Sequence, residues 1–187
     1  MSRVAARCPY GYPAAVEDLP YGPDGRPFPT LYYLTCPTLV AGVSALESAG
    51  GVRTWARRAA ADERLSRSLA KAAMQSRRRR RELARRYALP MRDGGASLRS
   101  GVGGVGVGGR GGAGASAAAS PGAAIKCLHA HVAHALACPS YDLGAAMLTE
   151  VAHPWCTDRR CDAFAPANVA PAAAECAAAE GAAGDRS

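Results

Sequence analysis

From Gly94 to Gly122 the chain is written almost entirely in Gly, Ala and Ser with a few Val. A segment of this kind cannot bury enough side chain to offset the entropy of ordering it, so the foldable text lies on either side. The composition predicts one domain over 1–163, interrupted by a disordered linker at 94–122. An Ala-rich tail at 164–187, without larger apolar residues at any regular period, is expected to be mobile. Gly101-Val102-Gly103-Gly104 is not read as a phosphate loop, because no Gly-Lys-Ser/Thr ending follows and no strand precedes it. Much of the 49% hydrophobic content is alanine, and aromatic residues supply only 6%. The core must therefore come from a few short segments.

The first of these is turn-rich. Cys8-Pro9, Tyr10-Gly11-Tyr12-Pro13, Pro20, Gly22-Pro23-Asp24-Gly25, Pro27 and Pro29 exclude helix. Ala14–Val16 and Thr30–Thr35 read as short strands of a β-hairpin, with Pro-Asp-Gly at its turn. Cys36-Pro37-Thr38-Leu39 opens a helix that runs through Val40, Val43 and Leu46 and stops at Gly50-Gly51, with Cys36 as N-cap and proline at the first helical position. Val52 and Trp55 begin another helical stretch. Asp62-Glu63 starts a long helix from Arg64 to Leu89 whose apolar stripe is Leu65, Leu69, Ala72, Leu83 and Tyr87. Beyond the linker come a helix from Ile125 to about Ala137 and a short one from Ala145 to Val151. The expectation is a small α+β domain, mostly helical, with a short N-terminal β-hairpin.

Charge is concentrated. The chain carries +8 overall, but Arg77 to Arg86 contains seven Arg and one Glu, a local +6, which leaves about +2 elsewhere. Arg77, Arg78, Arg79, Arg80 and Arg81 interrupt the apolar stripe, so the second half of the long helix is expected to protrude as a solvated face. Clustered arginine is also the footprint of phosphate-backbone binding, and weak, sequence-indifferent nucleic-acid contact is the partner expectation; no aromatic residues interleave to stack bases.

Lys126 to His134 concentrates a thiol and three imidazoles in nine residues. On a helix, 100° per residue sets Cys127, His131 and His134 within about 60° of one another. Leu128, Val132, Ala135 and Leu136 fall on a neighbouring arc, with His129 nearer that apolar side. Seven cysteines do not close into a disulfide set, and reduced thiols favour metal binding or burial. The expected site is Cys8, Cys36, Cys127 and His131, with His129 and His134 as substitutes or supporting groups. Three thiolates and one imidazole suit structural zinc, and an iron–sulfur cluster is the alternative. Cys156 and Cys161 form a single pair, too weak a signal to include, and Cys138 and Cys176 are also left out. Buried thiols with a partly exposed His131 remain the plain-core alternative.

The chain resembles an uncharacterised, mainly actinobacterial family known as a domain of unknown function, number five hundred and one. The motifs are Arg7-Cys8-Pro9-Tyr10-Gly11-Tyr12-Pro13, Gly25-Arg26-Pro27-Phe28-Pro29-Thr30-Leu31-Tyr32, Leu34-Thr35-Cys36-Pro37, Gly50-Gly51-Val52 and Lys126 to His134. They cover about 7–90 and 124–151, and the resemblance implies an intracellular protein. The chain departs from the family in its Gly/Ala-rich expansion after Gly104, in its tail, and in Tyr141-Asp142-Leu143-Gly144, where members have Asn-Pro-Val-Gly.

Three functions follow as expectations. The first is a metal-stabilised domain. The second is a cysteine enzyme with Cys36, activated at a helix N-terminus, as nucleophile and His129 or His134 as base. The third is an adaptor acting through the Arg77–Arg86 helix. No run of about 18 apolar residues is present, and the N-terminus reaches Cys8-Pro9-Tyr10-Gly11 too soon for a signal peptide; a soluble cytoplasmic protein without membrane contact is expected. If the low-complexity segment contributes little burial, deletion of Val105 to Ser120 will leave the melting temperature nearly unchanged. A cooperative loss of folding in that deletion, followed by circular dichroism, would show otherwise.

Overall fold

The computed structural model describes residues 2–28, 30–104 and 125–164. Three antiparallel strands, β1 (Arg3–Arg7), β2 (Pro13–Glu17) and β3 (Tyr32–Leu34), form one sheet in the order β1-β2-β3. The expected hairpin is present, with Ala15, Val16 and Glu17 opposite Leu34, Tyr33 and Tyr32. Strand β1, which lies before the first turn signal, was not foreseen. Five α-helices follow among the described residues: α1 (Pro37–Ser48), α2 (Gly51–Ala61), α3 (Glu63–Arg86), α4 (Leu128–Ala137) and α5 (Asp142–Thr149). The α+β class stands. Among the described residues, no helix is long and apolar enough to cross a membrane.

Local chemistry sets the helix ends. Pro37 fits the first position of α1, where no backbone N–H is needed. Asp62 caps α3 by accepting from the N–H groups of Arg64 and Leu65 at 2.8 and 3.1 Å. Gly50, at φ 83°, makes the reversal between α1 and α2.

At the centre lies α4. It packs against β3, β2, β1, α1 and α5, and of its ten residues only His129 and Leu136 retain substantial exposure. The face expected to present ligands is instead buried: His131 and His134 are 0% and 2% exposed. Small side chains permit the close packing. A Cβ on Gly144 of α5 would fall 2.5 Å from the carbonyl oxygen of His131, a separation only a glycine avoids.

Helix α3 corrects a second expectation. Its buried stripe does not stop at the arginines but continues through Ser76 and Arg80 to Leu83 and Ala84. Arg80 is 0% exposed; its Nε donates to the Ser97 carbonyl at 3.0 Å and its Nη2 to the Phe28 carbonyl. Arg79 donates twice to Glu17, from Nε at 2.7 Å and Nη2 at 2.8 Å. Residues 94–104, grouped by composition with the linker, form the 3-10 turns Ala96–Arg99 and Val102–Gly104. Asp93 accepts from the N–H groups of Gly95 and Ser97, and Val102 enters the main core. The remainder of the linker, 105–122, and the tail from 165 onward lie outside the described residues, as does Cys176.

Glu17 ties the sheet to α3. Burial alone would raise its pKa, but the Arg79 hydrogen bonds and charge, with Arg3 and the Tyr32 hydroxyl, outweigh that and hold it below the usual value. Glu17→Gln leaves Arg79 without its buried counter-charge and is expected to cost about 3 kcal/mol in urea unfolding. A change within about 0.5 kcal/mol would show the pair to be dispensable.

His134 lies edge-on to Tyr32 and Tyr141, with ring centroids 5.3 and 5.1 Å away. Burial pushes its pKa down from 6.5 to about 4. Because the folded value is the lower one, the unfolded chain binds the proton more readily. The stabilisation is therefore complete above pH 6.5 and is lost as pH falls towards 4, by about 1.4 kcal/mol per pH unit within that window. Urea midpoints of the wild type and His134→Gln should converge across this range. Parallel profiles would place the acid sensitivity in other groups.

Candidate metal centre

The start of α4 brings together three donors from two helices. Cys127 is its N-cap, with extended φ/ψ of −153° and 121°, and so stands off the helix. The face that helical spacing would let it share with His131 and His134 therefore does not form. Its sulfur turns towards His129, in the first turn of α4, with Sγ and Nδ1 3.8 Å apart. Glu47 comes from the last turn of α1. Its Oε1 lies 3.2 Å from His129 Nδ1 and accepts the Leu128 N–H at 2.5 Å, one of the amides a helix N-terminus leaves unpaired. Sγ of Cys127, a ring nitrogen of His129 and a carboxylate oxygen of Glu47 all lie within 4.8 Å of one another.

The tautomer of His129 follows from its far side. Nε2 lies 3.2 Å from the Val40 carbonyl and 3.1 Å from Ser44 Oγ. A carbonyl only accepts, so Nε2 carries a hydrogen, and Nδ1 is the ring atom turned to Glu47 and Cys127. Glu47 is an acceptor as well. Burial would raise its pKa, but the Leu128 amide, the charge and hydrogen bond of His129, and the Cys127 thiol together lower it, so it is held as a carboxylate. Two acceptor atoms 3.2 Å apart require a positive charge between them, which either a proton or a metal ion supplies. In a tetrahedron with ordinary zinc bond lengths, N–O and N–S edges are about 3.4 and 3.6 Å. The observed 3.2 and 3.8 Å bracket those values.

A nucleophilic triad fits less well. Thiol and carboxylate both meet the same nitrogen of His129, so Glu47 is not the group that orients the ring from its far side. Burial, followed by the Glu47 charge among the raising effects, lifts the Cys127 pKa above the ordinary thiol value despite backbone hydrogen bonds that oppose it. The thiol stays protonated until a cation displaces the proton.

The expected ligands fall into three places. Cys127 joins Glu47 and His129. Cys8 and Cys36 line a separate small cavity with Cys156 and Cys161, and no histidine is among its lining residues. His131 is enclosed in the core, its Nδ1 2.5 Å from the Tyr141 hydroxyl, and burial, then the charge of His134, pushes its pKa down to about 3. His134 shares a 3.4 Å hydrogen bond with Ser76. Within the arginine run, Arg79 and Arg80 make the internal contacts described above, Arg77 is half-buried, and Arg78 and Arg81 are exposed.

Glu47 was missed from sequence, although a local signal existed. A carboxylate in the last turn of a helix faces the negative end of the dipole, and α1 has no basic residue there to offset it. Such a residue points to a compensating partner elsewhere. No curated protein and no solved structure gives a significant match to the chain. The family model described as "Protein of unknown function (DUF501)" matches residues 4–149, which span most of the fold and all three donors, and the chain belongs to that family.

Proposed function

We propose that the chain is a metal-binding protein in which Glu47, Cys127 and His129 hold one divalent ion, with zinc the best fit. The observation that carries this reading is the convergence of the three donors on the side of His129 facing away from Val40, where two acceptors stand 3.2 Å apart. Carboxylate, thiolate and imidazole together are donors that zinc accepts. The Val40 carbonyl supplies the outer hydrogen bond that fixes a ligating imidazole. Glu47 and His129 side chains are 27% and 26% exposed, so a water can complete the tetrahedron. The ion would clamp the end of α1 to the start of α4, a stabilising role for which no substrate is needed.

Adding zinc to chelator-treated protein should raise the melting temperature. An ion at 100 times its dissociation constant contributes about 2.7 kcal/mol. Glu47→Gln, Cys127→Ser and His129→Ala should each weaken zinc binding by about 100-fold or more, measured by competition with a chromogenic chelator. If His129→Ala takes up the same number of zinc ions with the same affinities as the wild type, a proton rather than a metal bridges this site.

A further inference from the structure

The second cavity has its own chemistry. Its volume is about 10 Å3, and Cys8, Cys36, Cys156 and Cys161 line it together with Tyr12 and Trp155. All four cysteines are free thiols. They come from three separate parts of the chain. Cys8 follows β1 directly and opens a tight turn, in which its N–H donates to the Tyr12 carbonyl at 2.8 Å and its carbonyl accepts from the Gly11 N–H at 2.9 Å. Cys36 is the N-cap of α1. Cys156 and Cys161 flank a turn that contains Arg159 at φ 46°, a left-handed conformation uncommon for a residue with a Cβ.

Other contacts hold that turn against the N-terminal sheet. The Tyr12 hydroxyl donates to Asp162 at 2.7 Å, Arg159 pairs with Asp162 at 3.2 Å, and its guanidinium lies 5.5 Å from the centre of the Tyr10 ring. The turn is thus docked by residues of the same loop that carries Cys8.

We infer that Cys8, Cys36, Cys156 and Cys161 form a second metal site, a tetrathiolate for a single zinc ion that staples the C-terminal turn to the N-terminal sheet and α1. Four sulfurs on three segments, facing one cavity, are the donor set of a closed structural zinc site. The cavity has room for about one water-sized body, which suits a single ion and is too small for an iron–sulfur cluster. Trp155 and Tyr12 form part of its wall. In a loaded site neighbouring sulfurs are about 3.8 Å apart, whereas no three of these four lie within 4.8 Å of one another, so binding has to bring the sulfurs together. Each thiol that binds releases its proton to solvent, and the ion takes up the four sulfur lone pairs without any redox change.

The test is titration of the full chain, purified anaerobically, with Co2+ and Zn2+. The wild type should develop the intense sulfur-to-cobalt charge-transfer absorption of a tetrathiolate, which zinc then displaces. Cys156→Ser with Cys161→Ser should abolish that absorption and remove one equivalent of zinc. His129→Ala should leave the absorption intact, which separates this site from the one at the start of α4. Cys156→His keeps a ligand in place and should retain the ion with a shifted spectrum, so the test stays readable if the serine variant does not fold. The assignment is overturned if the double variant keeps the wild-type spectrum and stoichiometry, if Cys156→His leaves the spectrum unmoved, or if the wild type binds no ion here. An iron–sulfur spectrum, or disulfides among these four cysteines in protein kept under reducing conditions, also overturns it.

Discussion

The sheet, α1 and α5 of this fold are all packed against one helix that has almost no outward face. α4 is ten residues long, and its alanines let the sheet on one side and α5 on the other approach closely. A helix buried all round is ordinarily apolar all round, yet this one carries two imidazoles into the interior. They persist there as neutral rings, one hydrogen-bonded to Tyr141 and the other to Ser76, with Tyr32 and Tyr141 edge-on to His134. Two of the chain's few aromatic residues, Tyr32 and Tyr141, are spent on this packing. Only His129, at the rim of the same helix, keeps enough access for other chemistry.

The arginine run shows how composition can mislead about location. Five consecutive guanidiniums suggest one solvated surface, but a helix rotates by 100° at each step, and no run of five can face one way. Arg80 falls on the buried stripe and ties two backbone carbonyls to α3, while Arg79 reaches sideways to Glu17. An arginine can do this because its charge is diffuse and weakly hydrated and its fork satisfies several acceptors at once. What remains for solvent is a smaller basic face than the sequence suggests.

The elements with local signals were legible. Pro37 and Gly50 bracket α1, Asp62 caps α3, and Pro- and Gly-rich turns frame β2 and β3. Strand β1 carries no such mark: Arg-Val-Ala-Ala-Arg has little β-propensity, and only its pairing with β2 makes it a strand. At the candidate sites, residue type was legible and partnership was not. Cys127 was placed on the helix because periodicity was extended one residue too far, across an N-cap whose backbone is not helical. Glu47 lies 80 residues before Cys127 in sequence, and nothing local joins them. Cys156 and Cys161 were set aside as an isolated pair because spacing along the chain says nothing about which turns meet in space.

One feature of α1 links these observations. Cys36 caps its first turn and Glu47 sits in its last, about 16 Å apart at 1.5 Å per residue. A helix of twelve residues is stiff over that length, so a displacement along its axis or a rotation about it reaches both ends together. The two clusters share no residue, yet one short rod carries a member of each, and its length sets the distance between them.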